Sequence, residues 1–192
     1  GGGFRFGYPV FKNTRANIGY SYDVSDIRNV TTAAADTIKD LEGENITSSI
    51  TSSLNYDSRD RLFNPTEGSE HSVSVQFAGL GGNVGFSKYQ AETGWYLPLL
   101  WKTVGFFHGK GGYVLKNAGQ TLPDYQRFFL GGINSMRGYD WENLAPTELN
   151  SSGVLAYVGG EKFIQFNVEC MIPLFEEAGV VGVVFFDTGD VY

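Results

Sequence analysis

Runs of roughly nine or more residues alternate apolar and polar side chains along most of this chain, and no other feature constrains its fold as tightly. Successive side chains of an extended strand point to opposite faces, so a strict period of two makes a ribbon with one greasy and one wet face. From Thr14 to Val24, Ala16, Ile18, Tyr20, Tyr22 and Val24 share one face; Arg15, Asn17, Gly19, Ser21 and Asp23 share the other. From Asn45 to Arg59 the odd positions are all polar (Asn45, Thr47, Ser49, Thr51, Ser53, Asn55, Asp57, Arg59), and the even ones carry Ile46, Ile50, Leu54 and Tyr56. His71, Val73, Val75 and Phe77 oppose Glu70, Ser72, Ser74 and Gln76; Tyr89, Ala91, Thr93, Trp95 and Leu97 oppose Lys88, Gln90 and Glu92. Ile164, Phe166, Val168, Cys170 and Ile172 oppose Gln165, Asn167 and Glu169. Less regular runs at Val104–Lys116 and Val180–Asp190, and a short one at Phe4–Tyr8, bring the prediction to about eight strands, each near membrane-crossing length.

The make-up of the polar faces decides which side meets water. A soluble barrel hides its apolar face and fills the other with Lys and Glu. Here the polar sets are mostly Ser, Thr, Asn, Gln and Gly, which suit a wet lumen, while the apolar sets suit lipid. Charged residues are 18% of the chain, below the roughly 25% of an ordinary soluble domain. The prediction is an all-β fold: a transmembrane antiparallel β-barrel, present as a partial barrel. A soluble lipocalin-like barrel or sandwich is the alternative. No run of about 18 apolar residues exists for a transmembrane helix, but a barrel strand crosses with only about 9–11 alternating residues. A net charge of −7 argues against a nucleic-acid partner.

The connections alternate in character. Pro9–Asn13, Arg59–Gly68, Pro98–Thr103 and Pro173–Gly179 gather at one end; Ser25–Glu44, Leu80–Val84 and the long Asn117–Glu161 gather at the other. Outer-membrane barrels pair short periplasmic turns with longer extracellular loops. Tyr8, Tyr22, Tyr56, Trp95, Tyr96 and Trp101, near strand ends, are expected in interfacial girdles. Asp57, Arg59, Asp60, Arg61 and Glu67 read as solvated rim charges, and Thr31–Glu42 as room for a short loop helix. Cys170 faces lipid by parity and has no second cysteine to pair with. His71 and His108 lie far apart, with no spacing that suggests zinc, and no cofactor is implied.

The segment Phe128–Trp141, FFLGGINSMRGYDW, lies inside a connection of about 45 residues, far beyond the usual loop. It is rich in residues that want burial: Phe128, Phe129, Leu130, Ile133, Met136, Tyr139 and Trp141. Beside a barrel the large unfilled space is the lumen, so the stretch of about 117–161 is predicted to fold back into it. Arg137 would then lose water, and an unpaired buried charge is expensive. The inward-facing acids able to meet it are Glu169, on the polar face of its strand, and Asp187, set in the otherwise apolar run VVGVVFFDTGD. Either or both are expected to pair with it, with Gly138 allowing a tight turn beside it.

At these residues the sequence resembles the barrel of BamA-like outer-membrane assembly factors, a superfamily shared with two-partner secretion transporters and the chloroplast import channel. Gly131, Gly132, Met136, Arg137, Gly138 and Tyr139 match the family's loop motif. Val168, Glu169 and Pro173 match the strand that follows; Phe185, Asp187, Gly189 and Val191 match the next, and Leu62–Gly68 resembles the family's turn, with Asn64 standing between Phe63 and Pro65. The resemblance implies a non-enzymatic central subunit that inserts and folds β-barrel proteins into the bacterial outer membrane. Its implied partners are unfolded outer-membrane clients, accessory assembly lipoproteins and the lipid bilayer. It also implies that residues 1–192 are part of a C-terminal barrel domain whose POTRA domains and terminal strands, including both sides of the lateral gate, lie outside this sequence. The alternative is the barrel of a two-partner secretion transporter. Asp187-Thr188-Gly189 spells the aspartic-protease triplet, but such enzymes need two carboxylates sharing a proton. A simple porin would need no long apolar loop carrying an arginine.

Overall fold

The computed structural model describes residues 1–31, 34, 36–39, 41–175 and 178–192. In chain order the strands are β1 (Gly2–Phe11), β2 (Thr14–Ile27), β3 (Gly43–Asp57), β4 (Gly68–Gly82), β5 (Phe86–Pro98), β6 (Val104–Lys116), β7 (Thr147–Leu149), β8 (Leu155–Tyr157), β9 (Lys162–Phe175) and β10 (Val180–Val191); among the described residues a short α-helix, α1 (Asp36–Lys39), precedes β3. Eight of them form one sheet in the order β1-β2-β3-β4-β5-β6-β9-β10, every neighbouring pair antiparallel. The sheet does not close on itself; β1 and β10 are its edges. It is a segment of a transmembrane antiparallel β-barrel.

Register carries the apolar face from strand to strand. Tyr20 stands opposite Ile50, and Ile50 opposite Phe77; Phe107 stands opposite Val168, and Val168 opposite Phe186. Because the side-chain period is two, a slip of one residue anywhere would turn a whole strand inside out. On β9, Ile164, Phe166 and Val168 are 43%, 49% and 41% exposed, while Phe163, Gln165 and Asn167, which alternate with them, are buried. The apolar set therefore faces outward, the reverse of a soluble barrel. Keeping one Val, Ile or Phe in water instead of burying it forfeits about 1.5–3 kcal/mol. A row of them on strand after strand needs hydrocarbon for a solvent.

The other face, here called inner, is covered at one end by the β6–β9 connection. Ala78, Phe86, Val114, Phe163 and Val191 from the strands meet Leu122, Phe128, Leu130 and Met136 from the connection, with Val84 and Leu144 alongside. This core lies at the end that holds the long connections. Gly112 makes room for it: a Cβ there would stand 2.6 Å from the Phe163 ring and 2.8 Å from the Phe128 ring. The two rings sit 4.6 Å apart at their centroids.

Three sequence expectations change. Tyr96 does not join an outer girdle; it is 9% exposed and stacks on Phe106 on the inner face, because its even position shares parity with Lys88 and Glu92. Arg59 is not a solvated rim charge; its side chain is 17% exposed and bridges Asp57 and Glu70. The long connection contains an extra hairpin, β7–β8, too short to reveal itself by alternation. Within Thr31–Glu42 the described residues carry helix at Asp36–Lys39; Thr32, Ala33, Ala35 and Asp40 lie outside the described residues.

Candidate functional site on the inner wall

The inner wall presents two carboxylates at one level. Asp187 on β10 stands opposite Asn167 on β9, and Glu169 is the next inner-face residue along β9, opposite Phe185. Diagonal neighbours of this kind lie about 7–8 Å apart, too far to touch and close enough for one guanidinium to lie between.

Arg137 takes that place. Its Nε and Nη2 donate to the two oxygens of Asp187 at 2.7 and 2.5 Å. Its Nη1 lies 2.7 Å from Glu169 Oε1, and its backbone N–H donates to Asp187 Oδ2 at 3.0 Å. The guanidinium carbon sits 3.7 Å from the centre of the Phe185 ring. The planar fork of arginine matches a carboxylate edge, which lysine cannot do. Asp187 is 4% exposed at its side chain and also accepts from Asn167 Nδ2 at 2.8 Å. Its four acceptor sites are then all taken, leaving none for a proton shared with a second aspartate. The Asp187-Thr188-Gly189 triplet is the seat of an ion pair.

The loop motif is folded to aim this arginine. Gly131, Gly132 and Gly138 adopt φ of +121°, +87° and +93°, a region that side chains strain to enter. Gly132 N–H donates to Tyr139 carbonyl at 3.0 Å, and Gly131 N–H to Ser135 Oγ at 3.1 Å, closing the motif on itself. Met136 faces the core, while Tyr139 stays half exposed. All the expected site residues thus stand in one neighbourhood: Gly131, Gly132, Arg137, Gly138 and Tyr139 on the loop, Glu169 and Asp187 on the wall.

Sequence reasoning put Gln165, Asn167, Glu92 and Lys88 on the polar face without giving them partners. Gln165 Nε2 and Asn167 Nδ2 both donate to the Ser135 carbonyl, at 3.3 and 2.9 Å. His108 bridges Glu92 and Asn167. Lys88 reaches the Gln126 carbonyl at 2.8 Å. A second clasp joins two connections at the rim: Thr37 of α1 donates to Asp124, and Ser151 N–H to Asp36 at 2.8 Å. Burial pushes the Asp124 carboxyl above its ordinary range. No short-range pattern signals contacts between residues so far apart in sequence.

Compared with protein families, the whole of residues 1–192 matches the Omp85 superfamily domain. The chain belongs to the Omp85 superfamily. Among curated relatives, it is 32% identical over 187 residues to the outer membrane protein assembly factor BamA of Nitratidesulfovibrio vulgaris, covering 96% of this chain and 23% of that one. It is 30% identical over 142 residues to the sorting and assembly machinery component 50 homolog A of Xenopus laevis, covering 73% and 29%. Among solved structures, its fold matches that of BamA from Haemophilus ducreyi lacking POTRA domains 1–3, with a TM-score of 0.82 at 22% identity over 99% of this chain and 41% of that one. The chain spans about a quarter of the length of the curated relatives it matches. As an Omp85 barrel segment with a lipid-facing outer band, it is an integral part of an outer-membrane protein.

Proposed function

We propose that this chain is the middle-to-late barrel portion of the central subunit of bacterial outer-membrane protein assembly, which inserts and folds β-barrel clients. The relatives named assembly factors support that reading, and the fold is compatible with it. The subunit acts without covalent chemistry, by thinning the bilayer and opening a strand seam. Its partners are unfolded outer-membrane proteins, accessory assembly lipoproteins and lipid.

The observation that carries the local part of the reading is Arg137 held between Asp187 and Glu169. The long connection is extracellular and folds into the lumen, and the arginine is its anchor. Gly131, Gly132, Gly138 and Tyr139 shape the loop; Glu169 and Asp187 are the wall. A fixed loop keeps the lumen occupied and the barrel wall rigid around it, while the seam elsewhere opens. The test is complementation in cells depleted of the native protein and supplied with the full-length form carrying Arg137→Ala. Heat-resistant, folded porin in the outer membrane is expected to fall, and Arg137→Lys to fall less. Porin at the unmodified level with Arg137→Ala would remove the anchor from the assembly mechanism. Failure of the unmodified protein to fold any client in vesicles would remove assembly itself.

A further inference from the structure

Behind the Arg137 anchor the inner wall carries a second layer that touches the loop at a different point. Asn167 sits at its centre. Its Nδ2 donates to the Ser135 carbonyl at 2.9 Å and to Asp187 Oδ1 at 2.8 Å. Both of those groups only accept, so the amide orientation is fixed: turned over, its oxygen would face two other oxygens. Asn167 Oδ1 is left to accept, and it does so from Gln165 Nε2 at 2.7 Å. The His108 Nδ1 lies 2.9 Å from that same Oδ1, and the His108 Nε2 lies 2.9 Å from Glu92 Oε1.

Both ring nitrogens of His108 therefore face acceptors. A neutral imidazole has one N–H and one lone pair, so it would set a lone pair against either the Asn167 oxygen or the Glu92 carboxylate. Only the imidazolium satisfies both. The surroundings have the matching charge. Glu92 on β5, Glu70 on β4, Glu169 on β9 and Arg137 on the loop line one cleft of about 240 Å³ together with the ring. Lys110 on β6 lies 3.5 Å from Glu92, and Asp187 on β10 is reached through Asn167. Glu70 is paired with Arg59. Arg59 is shared with Asp57, so the carboxylates Asp57, Glu70, Glu92, Glu169 and Asp187 exceed Arg59, Arg137 and Lys110 by two, and a charged His108 halves that excess. Phe106 stacks on the ring, 5.7 Å away at 16°, and fixes its plane.

We propose that His108, acting through Asn167, is a positioning residue for the loop: charged, it donates to Asn167 Oδ1 and tightens the amide's hold on both Ser135 and Asp187; neutral, it keeps its one N–H on the Glu92 carboxylate, turns a lone pair toward Asn167 Oδ1 and loosens that hold. The inference rests on the reading of Arg137 as the loop's anchor. Imidazole is the side chain whose charge changes near neutral pH, so the lock weakens as the medium becomes alkaline. Arg137 keeps its charge throughout and holds the loop more loosely alone.

The experiment places a nitroxide on Asn134→Cys, at the loop tip, in a Cys170→Ser background of the full-length protein in phospholipid vesicles. Its spectrum is followed as pH rises from about 6 to about 9. The expected result is an immobile label at the acid end and a growing mobile fraction toward the alkaline end. His108→Gln should abolish that pH response, and Asn167→Leu should give the mobile fraction at every pH. His71, the other histidine of residues 1–192, serves as an internal control, since it remains in the His108→Gln protein. A label equally immobile across the range in the unmutated protein overturns the proposal, and that measurement needs no variant to fold. So does an Asn167→Leu label as immobile as the parent's. The Arg137→Ala protein separates the two readings. If its label stays immobile, the anchor itself fails; if it loosens while the parent shows no pH response, the His108 lock alone fails.

Discussion

Two arginines in this molecule are held in nearly the same way and do different things. Arg59 donates to Asp57 through Nε and Nη2 at 2.9 and 2.7 Å and reaches Glu70 through Nη1 at 3.0 Å. Arg137 does the same with Asp187 and Glu169. Each has one carboxylate gripped by the fork and a second at its far edge, and each is about one-fifth exposed or less. The difference lies in what else joins the partners. Asp57 and Glu70 are already opposite each other in the β3–β4 ladder, so Arg59 braces a turn that the sheet holds regardless. Arg137 links a long connection to strands far along the chain. In the proposed reading, similar local chemistry is a trim in one place and an anchor in the other, and covalent topology makes the distinction.

The largest break in that comparison is expected from Arg137→Ala. Removing one member of a buried cluster leaves Asp187 and Glu169 uncompensated, at a cost of about 3–5 kcal/mol. Urea titration in vesicles should show it, along with faster proteolysis within residues 117–161. Met136→Ala tests the apolar half of the same attachment. Losing its side chain from the core should cost about 2–5 kcal/mol, toward the lower end because a loop can settle into the gap. Its proteolysis should rise without any change in salt dependence.

Arg59→Ala should cost less, about 1.5–3 kcal/mol for its charged hydrogen bonds, with enhanced exchange confined to the β3–β4 turn. An effect as large as that of Arg137→Ala, spreading to the loop, would erase the distinction. The smallest effect belongs to Asp60 in the same turn. It accepts from Thr66 N–H and hydroxyl at 2.8 and 2.7 Å, and these bonds hold its carboxyl down at about 2. A depressed carboxyl contributes its stability above the ordinary value of 3.8 and loses it as pH falls through about 2. Exchange at Thr66 should rise over that window, and Asp60→Asn should remove the acid dependence.

The strands were legible because alternation is a local property with a steric cause. Even β6, whose Gly-rich pattern is irregular, spans the residues the sequence marks, Val104–Lys116. The outward direction of the apolar face was legible from the scarcity of Lys and Glu opposite it. Tyr96 was misread because proximity to a strand end was weighed above parity. Arg59 was misread because a charge-rich turn looks solvated until the side chains are placed. Around Arg137, the need for a carboxylate could be argued from the sequence and two acids named. The Gln165–Asn167–Ser135 contacts could not, because they depend on which wall residue a folded loop happens to meet. The same holds for His108, whose partners come from two other strands.

The most direct test is amide exchange across Gly131–Tyr139 in the full-length, membrane-embedded protein. It compares the unmutated form with one carrying Asp187→Asn and Glu169→Gln. These changes keep shape and polarity but remove both charges that face Arg137. Slow exchange in the parent and fast exchange in the double variant, with β9 and β10 still protected, is the predicted result. Equal exchange in the two proteins would mean that the loop is held by its apolar contacts alone and that Arg137 is not its anchor.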